Sequence, residues 1–443
     1  MVWVFGGGYA TGSGDSLQTR GDQLVRTFGD VVVITFNYRL GVLGWLGSER
    51  LRRYTYEQTG LNTTGNLGFL DQVEALRWVQ RHAESFGGDA SRVLLFGESA
   101  GAGAVSAHLT SPVSRGLFHR AAMQSGGFNE WAVMPMRHAE DNFAAMAATM
   151  RALTNAPWWQ RWVRKYACRK DVSDLECLIK SRIPGKLLVQ LTSAQEEYLK
   201  KSSDWNGLQQ CHWGPIIDGV VLVDHPFRSL QRGSWHPMPV VIGMNTDDGT
   251  EFVDGCRNGE DSNGRPTCGM SEQLYDALVA YFRDRRRVDS PTCFQDDLYK
   301  HWLELNWGVE HRDALFMLYN SSSSGEFSTN YWAAEFLTAD FIMSCTQRRA
   351  AKLMAEQAQV FRYSFARTPT EAPFRSPFHS SPVDDGFGAC HGCEIPFVFN
   401  RNDSHVFGIE GSGEYELGLA MASYWTNLAW SGDPSDPGRR WSM

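Results

Sequence analysis

The pentapeptide Gly97-Glu98-Ser99-Ala100-Gly101 lies between an apolar run, Val93, Leu94, Leu95 and Phe96, and a helix-compatible stretch over residues 102–110. That order requires a strand, a tight turn and a helix, with a serine at the apex. In a G-x-S-x-G turn the glycines let the backbone take a strained conformation. The Ser99 hydroxyl then projects from the end of a sheet, and the Ala100 N–H faces the place where an oxyanion would develop. A glycine turn of purely structural origin accounts for the same five residues. The strand and helix stand where the chemistry needs them, which favours a nucleophile.

Along the rest of the chain, strand-like runs alternate with helix-like stretches, the pattern of an α/β protein with a mostly parallel sheet covered on both faces. Residues 2–5 read as a strand, followed by Gly6-Gly7-Gly8, a polar loop over 9–16, a helix-like stretch to Phe28 and a strand over 31–37. Residues 67–86 have helical apolar spacing through Leu70, Val73, Leu76, Val79 and His82, with Gly87-Gly88 as the stop. Residues 151–188 are helix-like and basic, with the charges expected on a solvated face. A short buried-type strand over 240–243 ends in the polar turn Asn245-Thr246-Asp247-Asp248-Gly249. Residues 333–357 read as one long helix, 360–365 as a strand, and a long loop then delivers Cys390-His391-Gly392-Cys393.

With 443 residues, 42% of them hydrophobic, there is ample material for a large core. A net charge of -8 argues against a nucleic-acid partner, which would call for a basic surplus. The longest strongly apolar runs are strand-sized, so no transmembrane segment is expected. The start shows no basic region followed by an apolar stretch of the kind that makes a signal peptide. Nine cysteines, with close pairs at Cys168 and Cys177 and at Cys256 and Cys268, suggest small disulfide loops. Asn62-Thr63-Thr64, Asn320-Ser321-Ser322 and Asn402-Asp403-Ser404 fit the N-glycosylation pattern. Together they point to an oxidising compartment and the secretory route, with the chain expected to be a glycoprotein.

A serine nucleophile needs a base, a carboxylate to orient that base, and N–H donors for the oxyanion. Asp248, just past a strand, and His391, on a loop after the last strand, follow Ser99 in the order serine, acid, histidine that strand–turn–helix hydrolases use. Asp247 and Glu251 are the other acids in reach by position, each also readable as a surface or turn-capping group.

Longer words then become specific. Val2-Trp3-Val4-Phe5-Gly6-Gly7-Gly8, Asn37-Tyr38-Arg39-Leu40-Gly41, Gly65-Asn66-Leu67-Gly68-Phe69-Leu70-Asp71-Gln72, Phe86-Gly87-Gly88-Asp89 and Gly116-Leu117-Phe118-His119-Arg120-Ala121 resemble blocks of the type-B carboxylesterase and cholinesterase family of α/β-hydrolases. The resemblance implies one α/β-hydrolase domain over 1–443, shortened at both ends relative to the family. It implies a serine carboxylesterase acting on a small-molecule ester, with no cofactor and no metal. Carried over by position, it makes Ser99 the nucleophile, Asp248 the acid where the family commonly has Glu, and His391 the base. Gly7, Gly8 and Ala100 become the oxyanion donors. Glu98, Ser125 and Glu394 match polar positions that hold water and steady the histidine, although Glu98 also reads as a hydrogen-bonded turn residue.

Trp131 resembles an acyl-pocket aromatic and reads equally as core, and Phe252 keeps an aromatic beside the site. Glu251 stands where a cholinesterase typically offers an aromatic, and the family's main choline-binding tryptophan has no counterpart here. A general ester with an apolar acyl group is therefore expected rather than acetylcholine. Cys345 resembles a cysteine whose family partner lies in the missing tail. Cys390-x-x-Cys393 reads as a local disulfide, or as half of two longer ones, rather than half a zinc site, for want of a second ligand pair. The competing classes are a non-catalytic adhesion or scaffold relative and an inactive shortened esterase.

Overall fold

The computed structural model describes residues 1–155, 164–168, 171–180, 183–191, 213–253, 296–320, 330–369, 388–401 and 413–436. Six strands form the central sheet in the order β2-β1-β3-β4-β7-β8. They are β1 (Val2–Val4), β2 (Ile34–Thr35), β3 (Leu94–Glu98), β4 (Arg120–Gln124), β7 (Val240–Asn245) and β8 (Val360–Phe365). β5 (Met134–Pro135) and β6 (Ile216–Ile217) make a separate two-stranded ribbon. Every pairing in the main sheet is parallel. Strands buried on both faces read as continuous apolar runs rather than alternating ones, and the five residues of β3 are all buried. The fold is that of an α/β-hydrolase.

The helices that bear on the site are α1 (Leu67–His82), α2 (Ala100–Thr110), α3 (Met136–Ala152), α4 (Asn330–Ala339), α5 (Cys345–Met354) and α6 (Glu414–Ser431). No described helix is long and apolar enough to cross a membrane. α2 follows β3 directly and buries ten successive residues, 100–109, so it is apolar on all sides and lies inside the molecule. The parallel register aligns the strand ends: Val4 opposite Gly97, Glu98 opposite Gln124, Gln124 opposite Gly243 and Asn245 opposite Phe365. The segments leaving β1, β3, β4 and β7 therefore emerge side by side at the carboxyl edge, where open α/β sheets place their ligands.

Several elements differ from the sequence expectation. The strand expected over 31–37 pairs only at Ile34–Thr35, because β1 is three residues long, and beyond it the Asn37 side chain ties to another loop. Gly14 N–H donates to Asn37 Oδ1 at 2.9 Å. β4 was not expected, since Arg120, Ala121, Ala122, Met123 and Gln124 have little strand propensity; its place between β3 and β7 decides it. The helix expected over 333–357 is interrupted by a π-helical turn, Asp340–Ser344, between α4 and α5. The helix over 67–86 gives way at Ala83–Phe86 to a 3-10 turn closed by Gly87 at φ 78°. Of the disulfide loops, Cys168–Cys177 is formed, and Cys256 with Cys268 lies outside the described residues.

His108 on α2 is fully buried, stacked on Phe69 with ring centroids 4.1 Å apart. Its nitrogens meet Ser114 Oγ at 2.7 Å and Gln72 Oε1 at 2.9 Å. Burial lowers its pKa from 6.5 to about 3, so it is neutral in the folded protein. The unfolded chain binds a proton there below pH 6.5 and the folded chain does not, so stability falls with pH from 6.5 toward 3. Denaturant unfolding of wild type and His108→Gln should show wild type losing about 2 kcal/mol more than the variant between pH 6.5 and 5. Equal losses would mean that His108 is not held neutral.

Candidate active site

Ser99 joins β3 to α2 with φ 55° and ψ -125°, a conformation non-glycine residues rarely adopt and one that stores strain. Two backbone bonds hold it there: Ser99 N–H donates to Gln124 O at 2.9 Å, and Gly103 N–H donates to Ser99 O at 2.9 Å. The flanking glycines are required by space. A Cβ on Gly101 would lie 2.0 Å from Val4 O, and one on Gly97 would lie 2.6 Å from both Val4 O and Gly101 C.

The Gly6-Gly7-Gly8 loop lies beside the serine. A Cβ on Gly6 would come within 3.0 Å of Ser99 Cβ, and one on Gly8, at φ 60°, would meet nothing within 4 Å. Among the described residues, the N–H groups of Gly7, Gly8 and Ala100 donate no hydrogen bond. Tyr9 anchors the loop. Its hydroxyl donates to Ala132 O at 3.0 Å, and its carbonyl accepts from Trp45 Nε1 at 3.0 Å and Gly41 N at 2.8 Å. Before the loop, Tyr38 OH donates to Phe5 O at 2.8 Å.

Asp248 is fully buried and presents Oδ1 to His391 Nδ1 at 2.9 Å. Its Oδ2 accepts from Ser125 Oγ at 2.7 Å and from Asn245 N at 2.9 Å. A buried carboxylate is tolerable only with such partners, and three donors fix the direction of Oδ1. Asp247, the alternative acid, does not reach the ring. Its Oδ2 accepts Ala389 N–H at 2.7 Å while its own N–H donates to Ala389 O at 3.2 Å, so it clamps the loop that carries His391. The side chain of Glu251 lies outside the described residues. Cys390 and Cys393 are joined, closing the turn around His391 and leaving neither thiolate for a metal. Among the described residues Cys345 is the unpaired cysteine.

The other nitrogen of the ring meets Glu98, whose Oε1 stands 3.1 Å from His391 Nε2. Both side chains are almost wholly buried, so the imidazole lies between two carboxylates in a site of low effective dielectric. Glu394 stands one step back. It accepts from Gln124 Nε2 at 2.9 Å and Asn245 Nδ2 at 2.6 Å, and burial, followed by the charge of Asp248, raises its pKa. Phe252, 41% exposed, sets its ring edge toward His391 at 5.2 Å between centroids. Trp131 is half-buried against the core and donates Nε1–H to Ile342 O, in the π-helical turn, at 2.9 Å.

A family model for the carboxylesterase family matches residues 1–443. The chain belongs to the carboxylesterase family. It is 29% identical to an acetylcholinesterase of Leptinotarsa decemlineata, over all of this chain and 62% of that protein. It is 28% identical to human neuroligin-2, over 99% of this chain and 44% of that protein, and 28% identical to a mouse cholinesterase, over 98% and 62%. It thus spans less than two thirds of the length of each of these three relatives.

Within this carboxylesterase framework, the sequence reading missed three polar groups: Asn245 and Gln124, which tie Asp248 and Glu394 to the strand ends, and Glu335 on α4. Amide and carboxylate side chains in a strand and a helix carry no local signal of burial. The glycine requirement is directly measurable. Gly101→Ala should lower stability by about 3 kcal/mol or more, because the intruding Cβ meets the β1 backbone rather than a movable side chain. A thermal midpoint within a degree of wild type would show that α2 can back away from β1.

Proposed function

We propose that the protein is a serine carboxylesterase. The observation that carries the reading is the Asp248–His391 bond of 2.9 Å at the edge of the sheet where Ser99 turns out of β3. In this reading Asp248 fixes the ring with Nδ1–H toward itself, leaving Nε2 as the base. Nε2 takes the Ser99 proton as Oγ adds to the ester carbonyl. The N–H groups of Gly7, Gly8 and Ala100 receive the oxyanion. The imidazolium returns its proton to the leaving alcohol as the C–O bond breaks and acyl-Ser99 remains. Water, deprotonated by the same nitrogen, adds to the acyl carbon, and collapse releases the acid and restores the Ser99 hydroxyl. The charge of Glu98 beside Nε2 favours the imidazolium that both steps pass through. Each atom transferred in this cycle is supplied by the ester, water and these residues, so the proposal calls for no cofactor.

Phe252 at the ring edge supports an ester with an apolar acyl group, and Trp131 is the second aromatic proposed for that wall. Cys168–Cys177 and Cys390–Cys393 support an oxidising, secretory setting. The second reading, a non-catalytic protein-binding relative, is favoured by the similarity to neuroligin-2 at nearly the same identity as to the cholinesterases. Hydrolysis of p-nitrophenyl acetate and butyrate by wild type and Ser99→Ala separates the two. The variant should lose at least about 10³-fold in kcat/KM, and a serine-directed phosphonate should label wild type alone. Equal rates for the two proteins, or wild type that is neither active nor labelled, would refute the esterase. Acetylthiocholine in the same assay tests the expected preference against choline esters.

A further inference from the structure

Helix α4 packs against the turn that carries the acid so closely that a Cβ on Gly249 would lie 2.2 Å from Glu335 O and 3.0 Å from Ala339 N. Through that contact Glu335, itself fully buried, reaches the peptide that follows Asp248: its Oε1 accepts Gly249 N–H at 2.9 Å. Glu335 Oε2, and Thr338 Oγ1 one helical turn further on, are buried without a hydrogen bond among the described residues. A carboxylate in such a place would be expected to recruit a cation or a set of donors. Among the described residues the charged groups acting on Glu335 are Asp247 and Asp248 on the turn and Asp340 in the π-helical segment, all acidic. The helix Asp296–Trp307 adds Tyr299, buried with α4 in a second apolar cluster.

We propose that Glu335 is a positioning residue for the acid, its carboxyl holding the Asp248–Gly249 peptide against α4 so that Asp248 keeps Oδ1 on His391. The inference rests on the esterase reading for its catalytic consequence and extends it to a residue outside the triad. Burial, and after it the three aspartates, raise the Glu335 pKa from 4.5 to about 8, against the opposing Gly249 hydrogen bond. Glu335 is therefore neutral at pH 7. Above about pH 8 it ionises and places a further negative charge beside Asp248. That charge acts on the Asp248–His391 pair and changes the field at the ring.

Two variants and two readouts test this. Glu335→Gln keeps an acceptor for Gly249 N–H and cannot ionise; Glu335→Ala removes the acceptor. At pH 7, kcat for p-nitrophenyl butyrate should fall about tenfold in Glu335→Ala with little change in KM, and Glu335→Gln should restore most of it. Between pH 6 and 10 wild type should show an ionisation near 8 that Glu335→Gln lacks. The second readout needs no turnover: the His391 C2 proton resonance, assigned by its loss in His391→Gln, should be displaced near pH 8 in wild type and not in Glu335→Gln. If Glu335→Ala does not fold, the Glu335→Gln curves decide. A Glu335→Gln protein that keeps the transition near 8, or a Glu335→Ala protein matching wild type in kcat and titration, would overturn the proposal. An inactive wild type whose His391 resonance still senses Glu335 would sink the esterase reading and leave this one standing.

Discussion

Helix α2 lies against the middle of the sheet only because Gly97 and Gly101 present no side chain to β1. With Val4 O 2.0 Å from where a Gly101 Cβ would stand, any other residue there would lift the helix. Ser99 would then lose the positive φ that turns its hydroxyl away from the strand. The parallel register keeps the carboxyl ends of β1, β3, β4 and β7 level, so the loops leaving them share one edge. A second close contact repeats the device. Gly103 on α2 leaves room for the Tyr9 hydroxyl, which would lie 2.7 Å from a Cβ there, and Tyr9 in turn fixes the Gly7-Gly8 loop.

Around His391 the structure assembles more acid than base. Glu98 and Asp248 touch the ring, Glu394 lies behind Asn245, Asp247 clamps the loop, and Glu335 supports the turn. Carboxylates gathered in a buried space cannot all be charged at once. Asp248 accepts three hydrogen bonds, from His391, Ser125 and Asn245. Glu394 and Glu335 are pushed upward by burial and by their neighbours. The imidazole is thus enclosed by acidic side chains, an arrangement suited to stabilising a transient positive charge. Membership of the carboxylesterase family accounts for the framework.

The legible parts of the fold were those with a local cause. The strands before Ser99 and Asp248 announced themselves as unbroken apolar runs, and Gly87 marked the end of the helical segment, though α1 itself stops at His82 and a 3-10 turn fills the gap. The π-helical turn inside 330–354 was illegible because a widened turn has no composition of its own; it reflects α4 and α5 packing against different partners. β4 was illegible because its backbone pairing on both sides, rather than its side chains, makes it a strand. In the site, Asp248 and Asp247 are adjacent and chemically identical. Chain order and resemblance favoured Asp248, and the structure gives the physical reason: Asp248 faces the ring while Asp247 turns to Ala389.

By itself the sequence determined that Ser99 stands at a strained strand-to-helix turn, with glycines where no side chain fits, and that an acid and a histidine follow on later loops. These are consequences of residue type and order. Tertiary structure alone decided that Asp247 turns to Ala389, that Glu98 Oε1 stands at the second ring nitrogen, and that Glu335 reaches the acid turn at Gly249, 86 positions away in the chain. Those relations depend on how a parallel sheet aligns its carboxyl ends and how tightly its helices pack, distances that no spacing in the chain encodes.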